Sequence, residues 1–323
     1  MVAGLGLGLL AAAVMAGTAQ VPRETLAQAN AALQAGEADK ALSLLAAAPQ
    51  SGEGAAAAQN LECRVRFTLE EWRAAAQSCE EAVRLDGANS DYHMWLGRVL
   101  GEEADRASFL TAFSLGKRVC REFEEAVRLD PRNADALADL GEFYKDAPGI
   151  VGGGMDKAEG VAAQLDKVNE AQADELRAHI AEAGKDYAAA EREFKQAIAV
   201  SAHPAFQWSS LASFYRRRQR WNDMEWAVRN CAAAAARDRH AGVALYNGAS
   251  VLTQSHRDPE LAARMLEDYL AGASKTEEGP AFVAHVWLAR LKEQLGDPAG
   301  AQQERTEALE LASEYQPAKE ASN

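Results

Sequence analysis

Residues 72–87 read WRAAAQSCEEAVRLDG and residues 120–133 read CREFEEAVRLDPRN, so the heptapeptide EEAVRLD occurs twice in this chain. In both stretches small or apolar residues recur at i, i+3, i+4 and i+7, which places them on one face of an α-helix. Residues 187–200, YAAAEREFKQAIAV, follow the same pattern. Each stretch is preceded by another helical stretch and a turn. The chain therefore repeats a helix–turn–helix unit of about 34 residues.

The amino-acid composition indicates an all-helical, acidic protein. The chain has 323 residues, 48% of them hydrophobic, and its 34 Lys+Arg against 48 Asp+Glu give a formal net charge of −14. Alanine is abundant, and because it is the best helix former and is depleted in strands, a β-sandwich or barrel is excluded. The hydrophobic content is too high for a disordered chain. The acidic balance argues against a nucleic-acid partner, since phosphates are bound by basic surfaces.

The helical unit resembles the tetratricopeptide repeat (TPR), in which a first helix with W-x2-L-G-x2-Y precedes a second helix with A-x3-F and a closing proline. The residues that match the first helix are Trp208, Leu211, Ala212 and Tyr215 in one unit and Leu140, Gly141 and Tyr144 in another. Those that match the second helix and the closing proline are Tyr187, Ala190, Phe194, Ala197 and Pro131. The long third unit, around residues 102–117, and the turn APGIVGGG, residues 147–154, also resemble a group of exported bacterial TPR proteins without assigned chemistry.

The resemblance implies an all-α fold, a right-handed α-solenoid of about eight TPR-like hairpins over residues 22–316. The units start near residues 22, 56, 90, 134, 171, 205, 243 and 282. Small residues would let the two helices of a hairpin approach closely, while larger ones such as Phe194 and Tyr215 fill the seam to the next hairpin. We expect residues 317–323 to be a disordered tail. The alternative fold is an α-solenoid unrelated to this family.

Two segments depart from a plain repeat array. The third unit is about ten residues too long around residues 102–117, where four apolar residues could line one face of an added helical turn: Phe109, Leu110, Phe113 and Leu115. This addition is either a longer helix pair packed on its own hairpin or an apolar flap that contacts a partner or a membrane. Residues 146–158, DAPGIVGGGMDKA, lack the Lys and Ser/Thr of a phosphate-binding P-loop and predict an elongated turn between two helices.

The four cysteines have no spacing typical of a zinc site. In the repeat register, Cys63 falls in a first helix and Cys79 in the second helix of the same unit, at positions that face each other. An oxidising compartment would permit a Cys63–Cys79 disulfide, and the alternative is a pair of small buried thiols. Cys120 and Cys231 are expected to be isolated core residues.

The resemblance also implies where a partner would bind, because the first helices of TPR units line a concave groove. The corresponding positions here are polar and of both signs, which suits an extended peptide or another protein. The Lys/Asn clamp with which chaperone-binding members hold a C-terminal carboxylate is not visible. The groove residues expected to contact a partner are Met94, Arg98, Glu142, Lys145, Glu175, His179, Phe206, Ser209, Ser213, Arg216 and Arg290.

One cluster of positive charge interrupts the acidic chain, in FYRRRQRW, residues 214–221. Arg216, Arg217, Arg218 and Arg220 could form an anion patch for an acidic partner segment or a lipid headgroup. Alternatively, these arginines pair with neighbouring carboxylates or with carbonyls at a helix end.

The N-terminal residues 2–19 carry no charged side chain and end in small residues, which is typical of a signal peptide cleaved before Gln20. The sequence therefore predicts an exported protein, periplasmic or secreted. The alternative is an uncleaved inner-membrane anchor, although eighteen residues with four glycines make a short span.

No motif in the chain combines a nucleophile, a base and an orienting group, and no cofactor or metal is expected. We therefore predict a non-enzymatic TPR scaffold or adaptor that holds another protein or an extended peptide. The alternatives are a membrane-anchored factor for envelope assembly and, less favoured, a ligand-binding receptor or enzyme.

Overall fold

The computed structural model describes residues 23–47, 52 and 54–320, and within them it confirms the predicted all-α solenoid. The predicted signal peptide or anchor, residues 1–19, lies outside the described residues. The α-helices are α1 Arg23–Ala35, α2 Ala38–Leu45, α3 Ala55–Thr68, α4 Trp72–Leu85, α5 Ser90–Asp105, α6 Phe109–Leu129, α7 Ala134–Asp146, α8 Met155–Leu165, α9 Glu170–Ala183, α10 Tyr187–Val200, α11 Pro204–Arg217, α12 Trp221–Ala235, α13 Gly242–Ser255, α14 Pro259–Ala271, α15 Ala281–Gln294, α16 Pro298–Leu311 and α17 Gln316–Glu320.

Helices α1 to α16 pair in chain order into eight hairpins, which we number 1 to 8. Small residues lie where the paired helices touch: Ala126, Ala190 and Ala197 are all fully buried. At Gly97 in α5, an added Cβ would lie 2.5 Å from the Phe123 ring of α6. The repeat register thus marks positions where only a small side chain fits between two helices.

Polar residues at the helix starts fix many of the boundaries. The Asn133 side chain accepts a hydrogen bond from the Ala136 amide at 3.1 Å, and the Asp297 side chain accepts one from the Gly300 amide at 2.9 Å. Such caps satisfy amides that have no partner within the helix. Proline occupies the first turn of α11, α14 and α16, where its missing N–H costs nothing.

Six of the hairpins turn through one shared conformation. A residue with positive φ precedes the second helix, and the following amide donates to the carbonyl five positions back at 2.8 to 3.1 Å. The residues with positive φ are Gly36, Glu70, Lys185, Gln219, His256 and Gly296. Four of the six are not glycine, so this turn does not by itself require one.

The solenoid closes on itself, because hairpin 8 packs against hairpin 1. One hydrophobic cluster joins α1, α2 and α3 to α15, α16 and α17, and within it Phe282 is fully buried and Tyr315 is 4% exposed. The end repeats of an open solenoid need a polar outer face. Here the two ends cover each other, and we call the closed arrangement the ring.

Polar contacts accompany this closure. The Ser313 amide donates to the Asp39 carboxylate at 2.9 Å, and the Arg64 guanidinium donates from Nε to Glu277 at 2.9 Å. An added Cβ at Gly36 would lie 2.5 Å from the Ala281 backbone nitrogen. Gly36 is therefore required by the contact between the ends rather than by its own turn.

The two departures from the repeat form one structure. Helix α6 has 21 residues, and its extra N-terminal turns carry the added segment. Residues 146–158 form a turn that contains a 3₁₀ segment, Gly149–Val151, and joins α7 to α8. A Cβ added to Gly116 in α6 would lie 3.5 Å from the Val151 side chain, so the two segments are in contact. The four apolar residues do not share one face: Phe109 and Leu110 are exposed, whereas Leu115 packs against the core.

The prediction of a disordered tail from residue 317 needs correction for the first four residues. Gln316–Glu320 form the short helix α17, in which Ala318 is buried in the cluster that closes the ring. Residues 321–323 lie outside the described part. Among the described helices, none is both long and apolar enough to cross a membrane.

Candidate functional site

The inner wall of the ring is formed by the first helices of successive hairpins, and its polar side chains link each hairpin to the next. The Arg98 guanidinium donates to Asp139 at 2.6 Å, joining α5 to α7. The Glu142 carboxylate contacts His179 Nδ1 at 2.5 Å, joining α7 to α9. The Gln207 amide of α11 donates to a carboxylate of α9, Glu175, at 3.1 Å. Many predicted groove residues thus already have partners within the chain.

The remaining predicted groove residues differ in their exposure. Met94 is 4% exposed, and Ser209 is buried with its hydroxyl bonded to the Phe206 carbonyl at 2.6 Å. Lys145 pairs with Glu142 at 2.7 Å. Arg290, in contrast, is exposed at its position in α15. The assignment of these residues to a partner stays a prediction.

A chamber of about 450 Å³ opens inside the ring between the first helices of hairpins 1 to 4 and residues 272–280, which connect α14 to α15. Trp95 lies in its wall between two arginines: the guanidinium carbons of Arg64 and Arg98 are 5.4 and 4.8 Å from the ring centre. Such cation–π contacts fix the indole in place. The residues that line the chamber are Asn30, Ala57, Asn60, Leu61, Arg64, Asn89, Asp91, Tyr92, Met94, Trp95, Arg98, Asp135, Glu277 and Glu278.

Carboxylates outnumber cations in this chamber. Four acidic residues and two arginines line it, and one further carboxylate, Asp139, pairs with Arg98. Within the described residues, Glu278 has neither an ion pair nor a hydrogen bond. Loss of hydration inside the ring raises the pKa of Glu278 and that of Asp139, although Arg98 lowers both. The chamber therefore has an excess of negative charge that a cationic group would relieve.

A second hollow, of about 200 Å³, lies on the first helices of hairpins 6 and 7. Its lining is uncharged and rich in hydroxyl and amide groups, which can both donate and accept hydrogen bonds. The predicted residues Ser209 and Ser213 are among those that line it: Ser209, Ser210, Ser213, Asn247, Ser250, Val251 and Gln254.

The predicted anion patch is largely neutralised by side chains of the chain itself. Arg217 donates two hydrogen bonds to one carboxylate, at 2.9 and 2.6 Å, and Arg220 pairs with two carboxylates. The guanidinium carbon of Arg218 lies 3.8 Å from a tyrosine ring centre. The partners are Glu182 for Arg217, Tyr187 for Arg218, and Glu191 and Asp223 for Arg220. Arg216 Nε is buried without a hydrogen-bond partner among the described residues. This arrangement is the one that the alternative hypothesis describes, in which the arginines pair with neighbouring groups of the same chain.

The cysteines occupy the places that the register indicates. Cys63 and Cys79 form a disulfide across hairpin 2, with their Cα atoms 5.2 Å apart. Cys120 and Cys231 are buried free thiols, and burial raises their pKa values to about 11 and about 12. Such thiols are poor nucleophiles, because only the thiolate reacts. Among the described residues, no group of three or more His, Cys, Asp and Glu side chains is arranged to hold a metal ion.

Sequence reasoning missed the segment 272–280 as part of the site, because this connection belongs to no repeat unit. Glu277 pairs with Arg64 and accepts a hydrogen bond from Gln34 at 3.2 Å, which draws the segment against the first hairpins. The Tyr269 hydroxyl donates to the Gly279 carbonyl at 2.5 Å and holds its other end. The sequence does contain one indication of this segment, the adjacent acidic residues Glu277 and Glu278 in a long connection between helices.

The solved structures that are similar to this chain are TPR proteins. No protein-family model matches the chain. Superkiller complex protein 3 of Mus musculus is 32% identical over 127 residues, which is 38% of this chain and 8% of that protein, so the match spans less than a tenth of that relative. A thermophilic TPR protein of Thermus thermophilus superposes with a TM-score of 0.50 and 17% identity over 59% of this chain and 97% of that chain. A TPR protein from Parabacteroides merdae is similar over 94% of this chain and 98% of that one, with a TM-score of 0.45 and 14% identity.

Proposed function

Because this chain has the fold of tetratricopeptide-repeat proteins, we propose that it is a non-enzymatic scaffold that holds a segment of another protein inside its ring. The observation that carries the proposal is the chamber of about 450 Å³. It combines an immobilised indole, amide groups and excess carboxylates, which suits a peptide that carries lysine or arginine. A polar, charged wall of this kind recognises a chain by hydrogen bonds and charge rather than by reacting with it.

The proposal can be tested by photo-crosslinking in the cells that make the protein. A photoreactive residue replaces Tyr92 in the chamber wall, and a matched control carries it at Trp226 on the second helix of hairpin 6. We expect one or a few protein partners to be captured from position 92 and not from position 226. The double variant Asp135→Asn and Glu278→Gln should weaken the capture at least fivefold. Identical capture from both positions, or no effect of the double variant, would contradict the proposal.

We further propose that the protein is exported and that the signal peptide is cleaved before Gln20. The Cys63–Cys79 disulfide supports export, because structural disulfides persist in oxidising compartments. Cell fractionation with N-terminal sequencing tests this proposal. A mature N-terminus at Gln20 in the periplasmic or secreted fraction is expected. An uncleaved chain in the membrane fraction would instead support the alternative of a membrane-anchored assembly factor.

A further inference from the structure

A third cavity, a pocket of about 630 Å³, lies between hairpins 3 and 4 and shares only Arg98 with the lining of the chamber. The extra turns of α6 form one wall, with Phe109 and Phe113. The Gly149–Val151 turn forms the opposite wall, with Ile150. Both departures from the repeat pattern therefore serve to build this pocket. Its volume is in the range of pockets that hold ligands or side chains of a partner.

Large apolar side chains are exposed around its mouth. Phe109, Leu110 and Ile150 are 82%, 79% and 66% exposed, the highest values for large apolar residues in the described part of the chain. Large apolar side chains that are exposed beside a pocket mark sites of interaction. The floor contains aromatic rings, among them Phe67, Phe123 and Phe143.

The charges around the pocket select among the possible occupants. Five carboxylates belong to its lining, Glu102, Asp105, Asp139, Glu142 and Asp146, against one cation, Arg98. Arg98 pairs with Asp139, Arg106 pairs with Glu102, and Lys145 pairs with Glu142 and Asp146, so the carboxylates still outnumber these three cations by two. A second copy of this chain carries a net charge of −14, and an anionic membrane is negative as well, so both would be repelled. A positively charged segment would be attracted.

We propose that this pocket binds a short segment of another protein in which apolar side chains are flanked by lysine or arginine. The apolar side chains enter between α6 and the Gly149–Val151 turn, and the basic residues meet the carboxylates at the mouth. This is a binding site separate from the ring chamber, and it does not depend on what the chamber holds.

Gly101 offers a way to close the pocket from inside. It lies in the C-terminal half of α5 and lines the pocket, and an added Cβ would have no atom within 4 Å. The variant Gly101→Leu therefore adds a side chain to the pocket lining from a Cβ position that meets no other atom, and replacing a helical glycine favours the helix. Gly160 is the matched control, because it is also helical with no atom within 4 Å of an added Cβ and does not line the pocket.

The experiment is a selection of random 14-residue displayed peptides on the immobilised full chain, with removal of those that also bind Gly101→Leu. We expect the retained peptides to share apolar residues beside Lys or Arg. A synthetic copy should bind at least tenfold more weakly to Gly101→Leu and within twofold of wild type to Gly160→Leu. Replacing its basic residues with Glu should weaken binding at least tenfold. Equal unfolding midpoints of the two variants verify that the fold is intact.

Several outcomes would overturn the proposal. One is that no peptide distinguishes wild type from Gly101→Leu, and another is that the retained peptides are acidic or uncharged. Self-association of the full chain that Gly101→Leu abolishes would assign the pocket to a second copy. Binding to vesicles with a high fraction of anionic lipid, lost in the same variant, would assign it to a membrane surface.

Discussion

Closure of the ring can be tested at one atom, the Cβ that alanine would add to Gly36. Gly36 and Gly296 occupy the same position in their hairpin turns, with φ values of 76° and 84°. Alanine in this conformation costs about 1–2 kcal/mol at either site. At Gly296 an added Cβ has no atom within 4 Å, whereas at Gly36 it would lie 2.5 Å from the Ala281 backbone nitrogen.

The added clash at position 36 pushes the turn of hairpin 1 away from the start of α15 in hairpin 8, because the added Cβ meets backbone atoms of Ala281 rather than the end of a flexible side chain. Overpacking of this kind costs about 1–3 kcal/mol. We therefore expect Gly36→Ala to lower the free energy of unfolding by about 2–5 kcal/mol, and Gly296→Ala to lower it by about 1–2 kcal/mol. Glu70, Lys185 and Gln219 have the same backbone conformation in other hairpins, so the turn itself accepts a side chain.

The assay is urea unfolding followed by far-UV circular dichroism, with both variants and the wild type in the same buffer. A larger loss for Gly36→Ala supports closure. A smaller slope of the free energy of unfolding against urea concentration, in that variant alone, would show that the end hairpins unfold separately. This result also supports closure of the ring. Equal losses and equal slopes for the two variants would refute the reasoning, because the Ala281 contact would then contribute nothing.

Three further predictions concern stability. Replacing both Cys63 and Cys79 with Ala should cost about 3 kcal/mol in the chain-entropy account, and reductant should then have no further effect on urea unfolding. Phe282→Ala should cost about 3–5 kcal/mol, since Phe282 is fully buried between the ends of the ring; a loss below about 1 kcal/mol in the same assay would contradict this. The hydrogen bond to Glu122 raises the pKa of His93, so its stabilisation is present below about pH 6.5 and is lost as pH rises through the raised pKa. His93→Gln should therefore make the free energy of unfolding less dependent on pH in this range. An unchanged pH profile would contradict the stabilising role of the bond to Glu122.

Sequence reasoning worked best where a residue's role is local. The hairpins follow from small residues at helical spacing, and Ala126 and Ala197 are fully buried where the pattern places them. Phe194 and Tyr215 are likewise buried in the seams between hairpins. Each of these roles depends on neighbours less than two repeats away, so the periodicity of the sequence contains the information.

The chamber and the apolar pocket could not be derived in this way, because they depend on contacts between distant segments. Arg64 and Glu277 are 213 residues apart in the chain, and neither stands out in its own repeat. Similarly, residues 102–117 and 146–158 were recognised as irregular, but nothing in either segment indicated that they meet. For a related reason the sequence did not indicate that side chains such as Arg98 and His179 find partners on the adjacent hairpin.

Contact between hairpins 1 and 8 also restricts how the sequence of this protein can evolve. A linear array can gain or lose a repeat, since each unit touches only its neighbours. In a closed array, one hairpin more or less alters the curvature that every other seam must adopt, and the end faces no longer meet. In the part of the chain that the structure describes, the number of hairpins is thereby fixed at eight. Duplication of a single hairpin would expose Phe282 and its neighbours. The chain could lengthen only within a hairpin, as at residues 102–117, or in a connection, as at residues 272–280.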